Sequence, residues 1–422
     1  MQNKEVNLHM NTFMSNEGAY ISAFFQMMFD FPIEELKNIT KLPNEKYATY
    51  VHEYVHFLQD ITTTSGISRI IFMHKTLQAY LHEAAVCPNE IPHIIDLNHI
   101  PNYEKEKELE SYYNGYDIHK KIHHIDDISR DRYEFDDILD VGDTQYVINI
   151  YHNSNDEPYI FGRDCVIESM AYLIERKYGA KPRKMEFPYN SCEAICAFFY
   201  PTVLKYPEVL VAMCEMSLMH YNSGLEFWEI LMDMKRNNKV FSSIDDFERE
   251  YIGKCDFLWE NYSEKLNELI ETINYLYKKN NVIFGESNVL LNNMIEAAKK
   301  MRVDSIANGG ALFISRIMES PELITEYQSK FDQVLLIDNE NNIRGRSGFQ
   351  NMIIPYVILK IFSEPKKSCA LYKYCQNHDN KLVDDLCLKA PWRKCDDSHI
   401  LCPFAAFWYM FSLEGKYIAD SR

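Results

Sequence analysis

Thr49-Tyr50-Val51-His52-Glu53-Tyr54-Val55-His56-Phe57-Leu58 is the most informative run in this chain of 422 residues. Successive residues of an α-helix turn by about 100°, so His52 and His56 stand about 40° apart and one turn along, with Glu53 on the same flank. Two imidazoles so placed can share one metal ion. The glutamate is too offset to join them as a ligand, but it reaches a water on that ion and can take its proton. With 14 His and 36 Glu in the chain, composition alone supplies roughly 0.04 such H-E-x-x-H strings by chance. The flanks Tyr50, Val51, Tyr54, Val55, Phe57 and Leu58 carry no charge, as a helix packed beneath a metal site requires. The competing account is a buried helix with two hydrogen-bonded histidines, and burying those together with a glutamate without a metal is costly.

Outward from this run the chain reads as mostly helical. Pro43 and Asn44 precede a helical stretch from Ala48 to Asp60, and a further helix is predicted over Ser68 to Ala85, where Ile70, Met73, Leu77, Leu81 and Ala84 recur at helical spacing. Tyr20 to Phe31 is apolar. Residues 101 to 140 are polar and charged, from Glu104-Lys105-Glu106-Lys107-Glu108 to Asp136-Asp137, and read as an insertion or surface subdomain. Gln145 to Tyr151 is predicted as a strand, and a helix follows Gly162 from about Asp164 to Tyr178, stopped by Gly179 and Pro182. Cys192 to Lys205, Pro207 to His220 and Glu260 to Lys279 are further helical segments, and Val334 to Ile343 is a hairpin candidate. The fold class expected is α+β, predominantly α-helical, with a metal-binding helix pair, few strands and a Cys-rich C-terminal segment. Two regions are expected, residues 1–290 carrying the site and residues 291–422 carrying the cysteines.

At the histidine motif the sequence resembles the zincin metallopeptidases, whose longer signature has Thr or Val three residues before the first His; Thr49 fits. The resemblance covers the motif helix and, less closely, one later helix. It implies zinc as cofactor, His52 and His56 as ligands, Glu53 as general base, and a peptide or protein as substrate. The metzincin branch would need Gly at position 59 and His at position 62, where this chain has Gln59 and Thr62. The gluzincin branch takes a glutamate from a downstream helix, for which Glu83, Glu168 and Glu175 are candidates. Glu168 is preferred, because Val166-Ile167-Glu168-Ser169-Met170-Ala171 embeds a carboxylate in an apolar helix, where a lone charge wants a cation. Glu83 lies near a helix end, and Glu175, followed by Arg176 and Lys177, reads as a solvated ion-pair partner. The same water activation would serve a hydrolase of non-peptide amides, and an interaction protein with a structural metal is the remaining class. A regulatory partner is compatible with all three.

The formal net charge of −18 disfavours nucleic acid and anionic membrane surfaces, since no local basic patch offsets it. Met1 to Met14 lacks the basic start and apolar run of a signal peptide, and Ile400 to Leu413, with Pro403 inside it, is shorter than the roughly 20 residues needed to span a bilayer. A cytoplasmic protein is expected, with Ile400 to Leu413 in the core. Of the 11 cysteines, Cys369, Cys375, Cys387, Cys395 and Cys402 fall within 34 residues together with His378 and His399. Their spacing contains no C-x-x-C pair, so buried thiols, structural zinc, an iron–sulfur cluster and disulfides all stay open. His119, His123 and His124 lie among charges and read as solvated, Cys192 and Cys196 as core packing, and Gly309-Gly310 as a turn.

Overall fold

A computed structural model describes residues 12–14, 18–91, 95, 97, 103–115, 119–133, 145–155, 157–180, 186–251, 253, 255–277, 281–307, 310–331, 334–340, 342–345, 352–363, 368–369, 371–372, 375–376, 383–396 and 402–419. The chain opens with strands β1 (Thr12–Met14), β2 (Gly18–Ile21) and β3 (Gln26–Phe29), then helices α1 (Asn44–Thr62) and α2 (Thr64–Val86). Next come β4 (Glu90–Ile91), α3 (Tyr103–Asn114), β5 (Lys120–Lys121), β6 (Ile125–Tyr133), β7 (Gln145–His152), β8 (Tyr159–Phe161), α4 (Arg163–Lys177) and β9 (Glu186–Phe187). The helical body continues through α5 (Ser191–Phe199), α6 (Pro207–Leu218), α7 (Ser223–Arg236), α8 (Ile244–Tyr251), α9 (Cys255–Tyr277), α10 (Asn281–Ala307) and α11 (Glu322–Lys330). Strands β10 (Leu335–Ile337) and β11 (Ile343–Arg344), helix α12 (Ile353–Ser363), a short helix Leu386–Lys389, a C-terminal helix Pro403–Met410 and β12 (Tyr417–Ile418) complete it. The described residues are predominantly helical, with small sheets.

Helix α1 is buried from Ala48 to Thr62 and packs against α2, α4, α10 and β2. Its last carbonyls have no partner within the helix and are capped from outside. The Tyr262 hydroxyl of α9 donates to Ile61 O (3.1 Å) and Arg302 Nε of α10 donates to Thr62 O (2.8 Å), the guanidinium also complementing the negative helix end. Thr63 separates α1 from α2. Its hydroxyl accepts from the Gly66 amide at 3.1 Å, the usual N-cap bond. A Cβ on Gly66 would collide with the backbone of Gln59 and Asp60, so this corner admits only glycine and fixes the angle at which α2 leaves α1.

The largest sheet has the order β1-β2-β3-β10-β11. β2 pairs antiparallel with β1 and β3, so the apolar segment Tyr20 to Phe31 becomes a strand, a tight turn and a strand. β10 joins β3 in parallel, Leu335 opposite Gln26 and Ile337 opposite Met28, and turns back into β11 as the hairpin pattern predicts. Asp60 of α1 ties this sheet down, accepting from the Tyr20 hydroxyl (3.0 Å), the Ser22 hydroxyl (2.7 Å) and the Ala23 amide (3.1 Å).

Within the polar excursion at 101–140, the described residues contribute α3, β5 and β6; β5 pairs with β9, and β6 pairs with β7, which pairs with β8. β6 is thus built into the same sheet as the strand predicted at Gln145 to Tyr151. Residues 134–144 lie outside the described residues. Residues 290 and 291, the expected boundary between the two regions, are neighbours inside α10, and one buried cluster runs from Tyr20 to Ile418. In the segment Ile400 to Leu413, the described Phe404, Ala405, Phe407 and Trp408 are buried. No helix among the described residues is long and apolar enough to cross a membrane.

Candidate metal centre

His52 and His56 project from adjacent turns of α1 toward α4, and Glu168 projects from α4 to meet them. The two Nε2 atoms are 3.0 Å apart, His52 Nε2 is 3.3 Å from Glu168 Oε2, and His56 Nε2 is 3.6 Å from Glu168 Oε1. Among the described residues this is the one group of three or more His, Cys, Asp or Glu whose ligand atoms all lie within 4.8 Å. Ligands held tetrahedrally at about 2.0–2.2 Å from zinc are roughly 3.3–3.6 Å from one another; the two nitrogen–carboxylate contacts fall in that range, each to a different oxygen of Glu168, and the two nitrogens stand slightly closer than it. The donor set of two imidazoles and one carboxylate suits a borderline-soft divalent ion.

The outer nitrogen of each imidazole is engaged as well. His52 Nδ1 lies 3.0 Å from Glu175 Oε2, and His56 Nδ1 lies 2.9 Å from Gln59 Oε1. A proton on each Nδ1, donated to those oxygens, leaves both Nε2 lone pairs facing Glu168, the tautomer a metal needs. Gln59 in turn donates from its amide to the Ile167 carbonyl (3.1 Å), so the residue that orients His56 also grips the helix turn carrying Glu168.

Burial disfavours a charged His52, but the charges of Glu175, Glu168 and Glu53 outweigh it and lift the imidazole to about 10. Burial likewise acts against a charged Glu168, yet His56 and His52 hold its carboxyl well below the usual carboxylate range. Without a metal, then, the pocket keeps a proton among buried groups of opposite charge. His52 and Glu53 are 0% exposed, His56 1% and Glu168 2%. Glu53 faces β2, where a Cβ on Gly18 would lie 3.0 Å from its Oε1 and 2.8 Å from the Thr49 methyl; the bare glycine backbone lets the strand lie this close. Tyr20 stacks over His56 and the Tyr189 ring leans against His52, with ring centroids 6.3 and 6.1 Å apart.

Of the three glutamates weighed as third ligand, Glu168 stands in the group and Glu83 does not. Glu175 corrects the reading of it as a solvated ion-pair partner. It is 5% exposed and bonded to His52, while Arg176 is taken by Glu193 at 2.8 Å. Glu168 and Glu175 are seven residues apart, two turns of α4, so both face α1. That spacing was the available signal. Gln59 had none, since its role depends on a contact with a backbone carbonyl 108 residues away. His119, His123 and His124 are exposed, His119 and His124 pairing with Glu186 and Asp126. His378, His399 and the side chain of Cys395 lie outside the described residues. No protein-family model, curated protein or solved structure matches the chain.

Proposed function

We propose that this chain is a zinc-dependent metallopeptidase in which His52, His56 and Glu168 hold the metal and Glu53 is the general base. The observation that carries the reading is the convergence of two buried imidazoles, their Nε2 atoms 3.0 Å apart, on the Glu168 carboxylate, whose Oε2 is 3.3 Å from His52 Nε2 and whose Oε1 is 3.6 Å from His56 Nε2. Zinc supplies positive charge that acidifies a water and polarises the carbonyl of the scissile amide. Glu53, on the flank of α1 beside His52, accepts the proton of the attacking water and returns it to the departing amine. Glu175 and Gln59 hold the two imidazoles in the ligating tautomer, and the close backbone of β2 at Gly18 limits how far the Glu53 carboxylate can swing.

The experiment pairs elemental analysis with a peptide-library assay. About one zinc per chain is expected at this site, lost in Glu168→Gln and in the His52→Ala, His56→Ala double variant. Glu53→Gln keeps the size of the side chain but cannot take the proton, so it should retain zinc and lose turnover by about 100-fold or more. Activity within a few-fold of wild type would remove Glu53 from its role.

One observation favours a second reading, a structural metal without turnover: all three ligands and Glu53 are closed off from solvent. In that case Glu168→Gln should cost stability as it costs zinc, and no peptide in the library should be cleaved by the zinc-loaded wild type.

A further inference from the structure

The C-terminal segment places four cysteines around one small cavity: Cys369, Cys375, Cys387 at the short helix Leu386–Lys389, and Cys402 at the N-cap of the helix Pro403–Met410. Phe404 and Lys394 complete much of the wall. The backbone draws the cysteines together, since the Cys369 amide donates to the Cys387 carbonyl at 2.7 Å. The Ala405 amide donates to Cys402 Sγ at 3.3 Å, a bond that favours a thiolate sulfur at a helix N-terminus. Lys394, 5% exposed, reaches Asp384 at 3.3 Å and borders the same cavity.

We propose that Cys369, Cys375, Cys387 and Cys402 hold an iron–sulfur cluster through four thiolates. A donor set of sulfur alone selects thiophilic centres, chiefly zinc and iron–sulfur clusters. Distance separates the two. Four thiolates on one zinc, at about 2.3 Å in a tetrahedron, stand about 3.8 Å from one another, whereas no three of these sulfurs lie within 4.8 Å. They line a common cavity but stand too far apart for one ion, an arrangement met by a polynuclear centre whose ligands attach to different irons. The cluster core with four thiolates is anionic, and the Lys394 ammonium, the Ala405 amide and the helix end supply the compensating positive charge inside an otherwise apolar wall.

Burial pushes the Cys369 thiol up to about 12, the neighbouring cysteines adding to it, and burial raises Cys402 against the opposing pull of the Ala405 amide and Lys394. Ligation forms four Fe–S bonds as four S–H protons leave for solvent, and it ties Cys369 and Cys375 to the short helix Leu386–Lys389 and to the start of the helix Pro403–Met410.

The full chain, expressed with added iron and purified without oxygen, is assayed for iron, acid-labile sulfide, zinc and visible absorption. The expected result is iron and sulfide in equal amounts, about two to four of each per chain, with sulfide-to-iron charge-transfer bands. Cys387→Ser and Cys402→Ser should each lower both contents by more than half, and Cys192→Ser, in the helical core, should not. Should the serine variants fail to fold, as read by circular dichroism, the wild-type stoichiometry and spectrum decide. Zinc that survives the His52→Ala, His56→Ala double variant and disappears with Cys387→Ser overturns the proposal. So does a folded wild type that takes up neither iron nor sulfide on anaerobic reconstitution.

Discussion

At the scale of single residues, the groups behind the ligands set how well a metal is held. Glu175 takes the outer nitrogen of His52 and adds the largest opposing charge to it. Removing that charge in Glu175→Gln should weaken zinc binding about 10- to 100-fold, measured by competition with a chromophoric chelator. A solvated partner of Arg176 or Lys177 would leave zinc affinity unchanged. The histidine motif itself is legible in the sequence because helix geometry alone puts His52, Glu53 and His56 on one flank. Glu168 is legible because a carboxylate amid Val166, Ile167 and Met170 is expensive to bury unpaired. Glu175 is hidden for the converse reason: two adjacent cations explain a glutamate equally well until a helix is rotated in three dimensions and only one side faces the core.

At the scale of elements, α2 is held against α9 by a polar contact in an apolar seam. His74 Nδ1 lies 2.9 Å from the Ile70 carbonyl and Nε2 lies 3.0 Å from the Tyr277 hydroxyl. Burial lowers this imidazole to about 4 from 6.5, its backbone bond only partly opposing. The unfolded chain takes up a proton near pH 6.5 that the folded chain refuses until about pH 4. Stability from this residue is thus complete above pH 6.5 and is lost as the pH falls toward 4, by up to about 3 kcal/mol. Denaturant unfolding at several pH values should show a flatter acid limb for His74→Gln than for wild type. An unchanged difference between the two across that window would mean that His74 is protonated in the fold. The helices themselves are readable from spacing, within a few residues at each end, since α1, α2, α4, α6 and α9 carry long apolar stripes. The pairing of β6 with β7 is not, because Ile125–Tyr133 is rich in charge and shows its strand character only beside a partner.

At the scale of the molecule, the candidate centre is enclosed, with α1, α4 and β2 around it. Metal can leave such a site only when some of the enclosure opens, and opening is a property of the fold rather than of the competing ligand. Zinc loss to excess chelator should accordingly follow a single rate that does not rise with chelator concentration, and mild denaturant should speed it. A rate proportional to chelator would mean that the chelator reaches the ion directly and that the enclosure is open in solution. The parallel pairing of β3 with β10 joins Gln26 to Leu335, a separation of 335 − 26 = 309 residues. On a ribosome, the motif helix, which ends at Thr62, is made 335 − 62 = 273 residues ahead of Leu335, where the strand that completes the sheet beside it begins. Closing so long a loop is slow compared with helix formation. A nascent chain thus displays both histidines long before their surroundings close, and metal capture during synthesis would precede the moment at which the finished molecule shuts the door behind it.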